Sequence, residues 1–99
     1  RYDFLALPSA QLFPFEKSLN NPEFINNNKI DTYHRYMEVY TLSSLLGLPT
    51  MCIPVGFNNK GLPMGIQIIA NFKEDNKIID FAKSYEEIFN FSKFKPELI

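Results

Sequence analysis

The feature that most constrains this chain is a doubled tripeptide. Gly-Leu-Pro occurs at Gly47–Pro49 and again at Gly61–Pro63, each time leading into an apolar run. Thr50 to Val55 is short and largely apolar and ends at Pro54 and Gly56, so it reads as a buried strand with a marked stop. Asn58-Asn59-Lys60-Gly61 supplies residues that tolerate positive φ, which a tight reversal needs. Met64 to Ile69 reads as a second strand, in which Gly65 allows close backbone approach. Together these pieces predict a hairpin or near-hairpin in the middle of a sheet.

The flanks extend the pattern. Asp3 to Leu7 shows little polar alternation and reads as a strand covered on both faces, with Pro8 limiting its ladder. Glu16 to Lys29 reads as a long Asn-rich loop. Asp31-Thr32 is a helix start, and Tyr33, Tyr36, Met37, Tyr40 and Ser44 fall on one helical face. Val39, Leu42, Leu45 and Leu46 widen its apolar surface, so this helix is expected to be well buried. Gly47 is the expected residue just past its end, and Pro49 prevents resumption.

After the hairpin, Asn71 to Asp75 is a polar link able to cap a second helix. There Ile78, Phe81, Ala82, Tyr85, Ile88 and Phe89 recur at amphipathic spacing. Phe91 to Ile99 reads as a loose tail. The order strand, long loop, helix, strand, strand, helix predicts a layered α/β unit.

Composition narrows the class. A net charge of −1 without a Lys/Arg stripe argues against a nucleic-acid surface. No apolar run approaches the roughly 20 residues that span a bilayer, so no membrane partner is expected. The single cysteine, Cys52, excludes an internal disulfide and points to a reducing, cytoplasmic setting. The chain opens at Arg1 and runs at once into strand, as an interior strand would with its preceding context cut away. Ten Phe and five Tyr are many for 99 residues. Each large ring contributes about 1.5–3 kcal/mol when fully covered, so the chain reads as a piece of a larger fold.

A search for chemistry finds no complete site. Nucleophilic hydrolysis needs an activated Ser or Cys, a base in reach, and donors for the oxyanion. Cys52 sits mid-strand and reads as a small buried hydrophobe. His34, the only histidine, lies in the first turn of a helix and reads as a structural or pocket-lining residue and not as a catalytic base. Ser43-Ser44 lies on an apolar helix without a Gly-rich loop beside it. One His and one Cys make no metal-ligand set, and no phosphate-cradling loop is present, so neither metal nor cofactor is expected. Glu86-Glu87 reads as a solvated helix face.

Several segments, taken in order, resemble the C-terminal part of the amidase-signature enzymes. They are Tyr2-Asp3-Phe4-Leu5-Ala6-Leu7-Pro8, Tyr33-His34-Arg35-Tyr36-Met37-Glu38, Gly47-Leu48-Pro49, Ile53-Pro54-Val55-Gly56-Phe57 and Gly61-Leu62-Pro63-Met64-Gly65-Ile66-Gln67. Ala82 and Tyr85-Glu86 fit the family's closing helix. The Tyr-His-Arg-Tyr-Met-Glu helix looks more like general bacterial amidases than the tRNA-dependent transamidase subunit. The resemblance implies a mixed β-sheet flanked by helices, and residues 1–99 as an incomplete, C-terminal portion of an amidase domain that lacks the catalytic core.

The activity implied is hydrolysis of a carboxamide C–N bond to acid and ammonia or amine, with this segment inactive alone. Family members use a Ser nucleophile, a second Ser with a cis peptide bond, and a Lys that must be neutral to act as a base. None of these has a counterpart here, so no catalytic residue is carried over. The helix before the first Gly-Leu-Pro borders the family's substrate pocket, which makes Tyr33, His34, Met37 and Tyr40 candidate pocket residues. Ser44 stands where the family often has Asn. The partner implied is a small-molecule amide substrate of the full-length protein, with a homo-oligomer left open. Two alternatives stand beside this: a non-catalytic scaffold or binding module, and the A subunit of a tRNA-dependent amidotransferase.

Overall fold

Antiparallel pairing around one central strand organises the computed structural model, which describes residues 1–97. The elements are β1 (Leu5–Pro8), β2 (Phe24–Ile25), β3 (Asn28–Lys29), α1 (Tyr33–Tyr36), α2 (Thr41–Leu46), β4 (Thr50–Phe57), β5 (Pro63–Ile69) and α3 (Asp75–Phe89). Short 3-10 turns occupy Glu38–Tyr40 and Phe91–Lys93. The main sheet has the order β1-β5-β4, and β2 pairs with β3 in a separate small hairpin. Helices combined with antiparallel strands make this an α/β unit, as expected.

The expected hairpin forms from β4 and β5. Its turn is closed by Asn58, whose N–H donates to the Leu62 carbonyl at 2.9 Å and whose Oδ1 accepts from the Lys60 and Leu62 amides at 2.9 Å each. Gly61 takes φ +74° in that turn, a conformation that costs glycine little. The strand does not stop at Pro54 but runs on to Phe57 through a bulge, since Pro54 opposes Gly65 and Gly56 opposes Met64. Among the described strands β4 pairs only with β5, and a proline that cannot donate to a ladder is tolerated on such an edge. At Gly65 a Cβ would lie 2.9 Å from the Ile53 carbonyl oxygen and 2.9 Å from Ser9 Oγ, the close approach anticipated for this glycine.

The core lies between one face of the sheet and α3. Ile53, Ile68, Ala70 and Ile78 are buried together, and Phe4, Phe81, Ala82 and Tyr85 pack against them. α3 is amphipathic as expected over its first three turns, and the Tyr85 hydroxyl donates to the Pro54 carbonyl at 2.9 Å, tying helix to strand. Its last turn is different, with Ile88 75% exposed. The tail also differs from expectation where it is described. Phe91–Lys93 is a 3-10 turn, Phe94 meets Phe57 edge to face at 5.4 Å, and Leu98 and Ile99 lie outside the described residues.

Four expectations are corrected. β1 is not covered on both faces: Leu5, Ala6 and Pro8 are exposed and only Leu7 is partly buried, and among the described strands β1 is an edge that pairs only with β5. Cys52 is exposed on β4 and is not a buried hydrophobe, because it faces away from the α3 core. The Asn-rich segment is not a plain loop. Asn26 and Asn27 adopt φ +50° and +64°, the two positive values that a two-residue hairpin turn requires, and so close β2 onto β3. The helix after Asp31 is neither continuous nor well buried: it breaks after Tyr36, and α1, the 3-10 turn and α2 contain no buried residue.

Candidate functional site

The candidate pocket residues all lie on the broken helix. Tyr33 and His34 belong to α1, Met37 follows it with φ −95° and ψ 0°, and Tyr40 ends the 3-10 turn. The break shows in the hydrogen bonds. Met37 N–H donates to the His34 carbonyl and Tyr40 N–H to the Met37 carbonyl, both at 3.0 Å and both three residues apart rather than four. A continuous helix would have set Tyr33, Met37 and Tyr40 along one stripe. The tighter turn redistributes them.

Two groups result. The Tyr33 ring meets the His34 ring edge to face at 5.7 Å, and Tyr33 also lines a cleft of about 230 Å³ beside the β2–β3 hairpin, facing Pro22, Glu23 and Lys29. Tyr40 is half-buried near Tyr36 and Cys52. Burial raises its hydroxyl above the ordinary tyrosine range, with Tyr36 and Cys52 adding in the same direction. Met37 lies between the groups in sequence and is 36% exposed. Among the described residues no ring contact joins Tyr40 to Tyr33 or His34.

The segment is seated by side chains that the sequence reading did not single out. Gln11 Nε2 donates to the Arg35 and Tyr36 carbonyls at 2.6 and 2.8 Å. Gln67, on the central strand, donates through Nε2 to the Val39 carbonyl at 2.8 Å and the Pro8 carbonyl at 3.0 Å. Its Oε1 accepts from Ser43 Oγ at 3.2 Å, and that hydroxyl also lies 3.2 Å from the Tyr40 carbonyl. Gln67 is 2% exposed, so its amide would be costly without these partners. The signal was available: a glutamine inside the apolar run Ile66-Gln67-Ile68-Ile69 must either face water or find partners. Ser43 therefore acts as a donor in this network.

Two exposed ion pairs lie at the start of the segment, both made by Arg35. Arg35 reaches Asp31 at 3.1 Å and Glu38 at 2.9 Å, and its hydrogen bond holds the Asp31 carboxyl below the ordinary carboxylate range. Glu86, expected to be simply solvated, accepts from the Ser92 amide at 3.0 Å, and its carboxyl is lowered chiefly by hydrogen bonding from Ser92. Among the described residues no group of three or more His, Cys, Asp or Glu is placed to hold a metal ion, and no helix is long and apolar enough to cross a membrane.

The hairpin and the segment before the first Gly-Leu-Pro lie within the residues that a family comparison matches. The model of the amidase family matches residues 1–79, and the chain belongs to that family. Among similar proteins is the A subunit of glutamyl-tRNA(Gln) amidotransferase from Trichodesmium erythraeum, 40% identical over 99 residues, which cover 99% of this chain and 19% of that protein. The protein of the same name from Thermodesulfovibrio yellowstonii is 34% identical over 101 residues, again 99% of this chain and 19% of the relative. That from Bordetella petrii is 38% identical over 74 residues, 73% of this chain and 14% of the relative. The chain thus spans less than a fifth of the length of these relatives. They carry the name that the sequence reading set beside general amidases as an alternative. No solved structure matches the chain significantly.

Proposed function

We propose that residues 1–99 are the C-terminal portion of an amidase-family enzyme that hydrolyses a carboxamide C–N bond, and that the nucleophile, its proton-transfer partner and the oxyanion donors belong to another part of the polypeptide. The family match over residues 1–79, in a chain spanning at most 19% of the relatives named, carries this reading. The segment's contribution is a wall of the substrate pocket, built from Tyr33, His34, Met37 and Tyr40. Tyr33 and Met37 fit that role because they present apolar surface that this chain does not cover. The working setting is the cytoplasm, and the substrate is a small carboxamide.

The test is direct. Ammonia release from a panel of simple carboxamides is measured for the 99-residue chain and for the polypeptide encoded with its flanking sequence. Turnover by the longer polypeptide alone is the expected result. Turnover by the 99-residue chain, or by neither, overturns the proposal.

A second reading has its own support. The relatives named are subunits of glutamyl-tRNA(Gln) amidotransferase, so the same scaffold would serve as the A subunit of such an assembly. Copurification of the longer polypeptide with other subunits of that enzyme separates this reading from a free-standing amidase.

A further inference from the structure

An apolar stripe does not seat the Tyr33–Leu46 stretch, because neither α1, the 3-10 turn nor α2 buries a residue. Amide side chains grip its main chain instead, and the grip is concentrated where the helix breaks. Gln11 holds the carbonyls of Arg35 and Tyr36, and Gln67 holds that of Val39. Of the two, Gln67 is the buried one and the more heavily engaged. Its single amide joins the last residue of β1, the middle of the 3-10 turn and the Ser43 hydroxyl on α2.

Apolar contacts tolerate sliding, whereas an amide that donates twice and accepts once is satisfied in one placement only. Val39 lies between Met37 and Tyr40, so whatever fixes its carbonyl fixes the turn carrying both side chains. From this we infer that Gln67 is a positioning residue: its amide, braced by Ser43, sets where the Glu38–Tyr40 turn stands over the sheet and so places Met37 and Tyr40 for a carboxamide ligand. The inference rests on the pocket reading above and goes beyond it by naming what holds the wall. A carboxylate at position 67 would turn oxygen toward two carbonyl oxygens. A thioether there would leave both carbonyls without a donor.

The test uses the polypeptide encoded with its flanking sequence, in which the proposed pocket is complete, with amide hydrogen exchange and chemical shifts recorded residue by residue and propionamide as the ligand probe. Ser43→Ala is expected to speed exchange at Tyr40–Gly47 about fivefold, as the loss of one ordinary hydrogen bond does, while the Ile68 and Ile78 amides keep their protection. Ser43→Thr, which retains the hydroxyl, restores the slow rate. Gln67→Met and Gln67→Glu produce larger local increases and abolish the propionamide-induced shifts of Met37 and Tyr40. Should the Gln67 variants fail to fold, the Ser43→Ala and Ser43→Thr pair still decides.

Unchanged exchange at Tyr40–Gly47 in Ser43→Ala overturns the inference, as does an equal rise at Ile68 and Ile78, which would mark a general stabiliser. Propionamide shifts that persist in a loosened variant also overturn it while leaving the pocket reading in place. Absence of such shifts in the unaltered chain, with local loosening still seen in Ser43→Ala, overturns the pocket reading and leaves the pinning of the turn supported.

Discussion

Around Ile53, Ile68 and Ile78 the chain buries apolar side chains from β4, β5 and α3 against one another, whereas the stretch from Tyr33 to Leu46 buries none. Both regions are rich in aliphatic and aromatic residues, Ile and Phe in the first and Leu and Tyr in the second, so apolar content alone does not separate them. The difference is how each is held. The first is secured by area removed from water, which is large and non-directional. The second is secured by a few hydrogen bonds to its main chain, which are individually modest and strongly directional. Leu45 at 81% exposure and Leu46 at 58% show the consequence: α2 carries an apolar surface that this chain leaves uncovered.

The comparison is most sharply tested in the core. Ile78→Ala removes a side chain that is 3% exposed and opens a cavity between α3 and the sheet, so a loss of about 2–5 kcal/mol in unfolding free energy is expected by urea titration. A loss below about 1 kcal/mol would break the claim that burial dominates there.

Gly65→Ala acts beside the core, where β5 runs between Ile53 of β4 and Ser9. Its new methyl would press on the Ile53 carbonyl from one side and Ser9 Oγ from the other, and the carbonyl belongs to a paired strand that cannot easily yield. A cost of about 1–3 kcal/mol by thermal or chemical unfolding is expected.

Leu45→Ser removes one of the most exposed large side chains. An effect within about 0.5 kcal/mol is expected, and a core-sized loss would show that α2 is seated by burial after all.

The smallest effect belongs to the Lys77–Asp3 ion pair, 2.8 Å apart at the surface. The hydrogen bond from Lys77 lowers the Asp3 carboxyl, and the same bond is the main cause that raises the Lys77 amine. The Asp3 contribution is therefore present above its ordinary carboxylate value and fades as pH falls through the lower folded value. The Lys77 contribution is present below its ordinary value and fades as pH rises through the higher folded one. Stability measured across pH should stay level between these limits, with shallow losses outside them that added salt flattens. Asp3→Asn should remove the pair's share of the acid loss.

Legibility in the sequence followed the kind of force involved. Gly47, with φ +61° and its N–H donating to the Ser43 carbonyl at 3.1 Å, ends α2 where the helix-stop pattern placed it. The same local chemistry made Gly61 and the α3 face around Ile78, Phe81 and Tyr85 readable. The break after Tyr36 was not readable, because the spacing from Tyr33 to Leu46 satisfies an unbroken helix and nothing local forbids one. The carbonyl partners that accompany the break come from Gln11, 24 and 25 residues before the carbonyls it meets, and Gln67, 28 residues after Val39. Exposure of Cys52 was missed for a related reason. A strand's period says which residues share a face, but only the position of α3 says which face is covered.

By itself, the sequence determined the turns, the helix ends, the hairpin, the amphipathic α3 and membership of the amidase family, because each depends on neighbours within a few residues or on an ordered series of motifs. Only the tertiary structure decided that a glutamine in the central strand would be fully buried, and that its amide would reach three separate segments. Hydrogen bonds across such sequence distances depend on where the chain folds back, and short-range spacing contains no record of that.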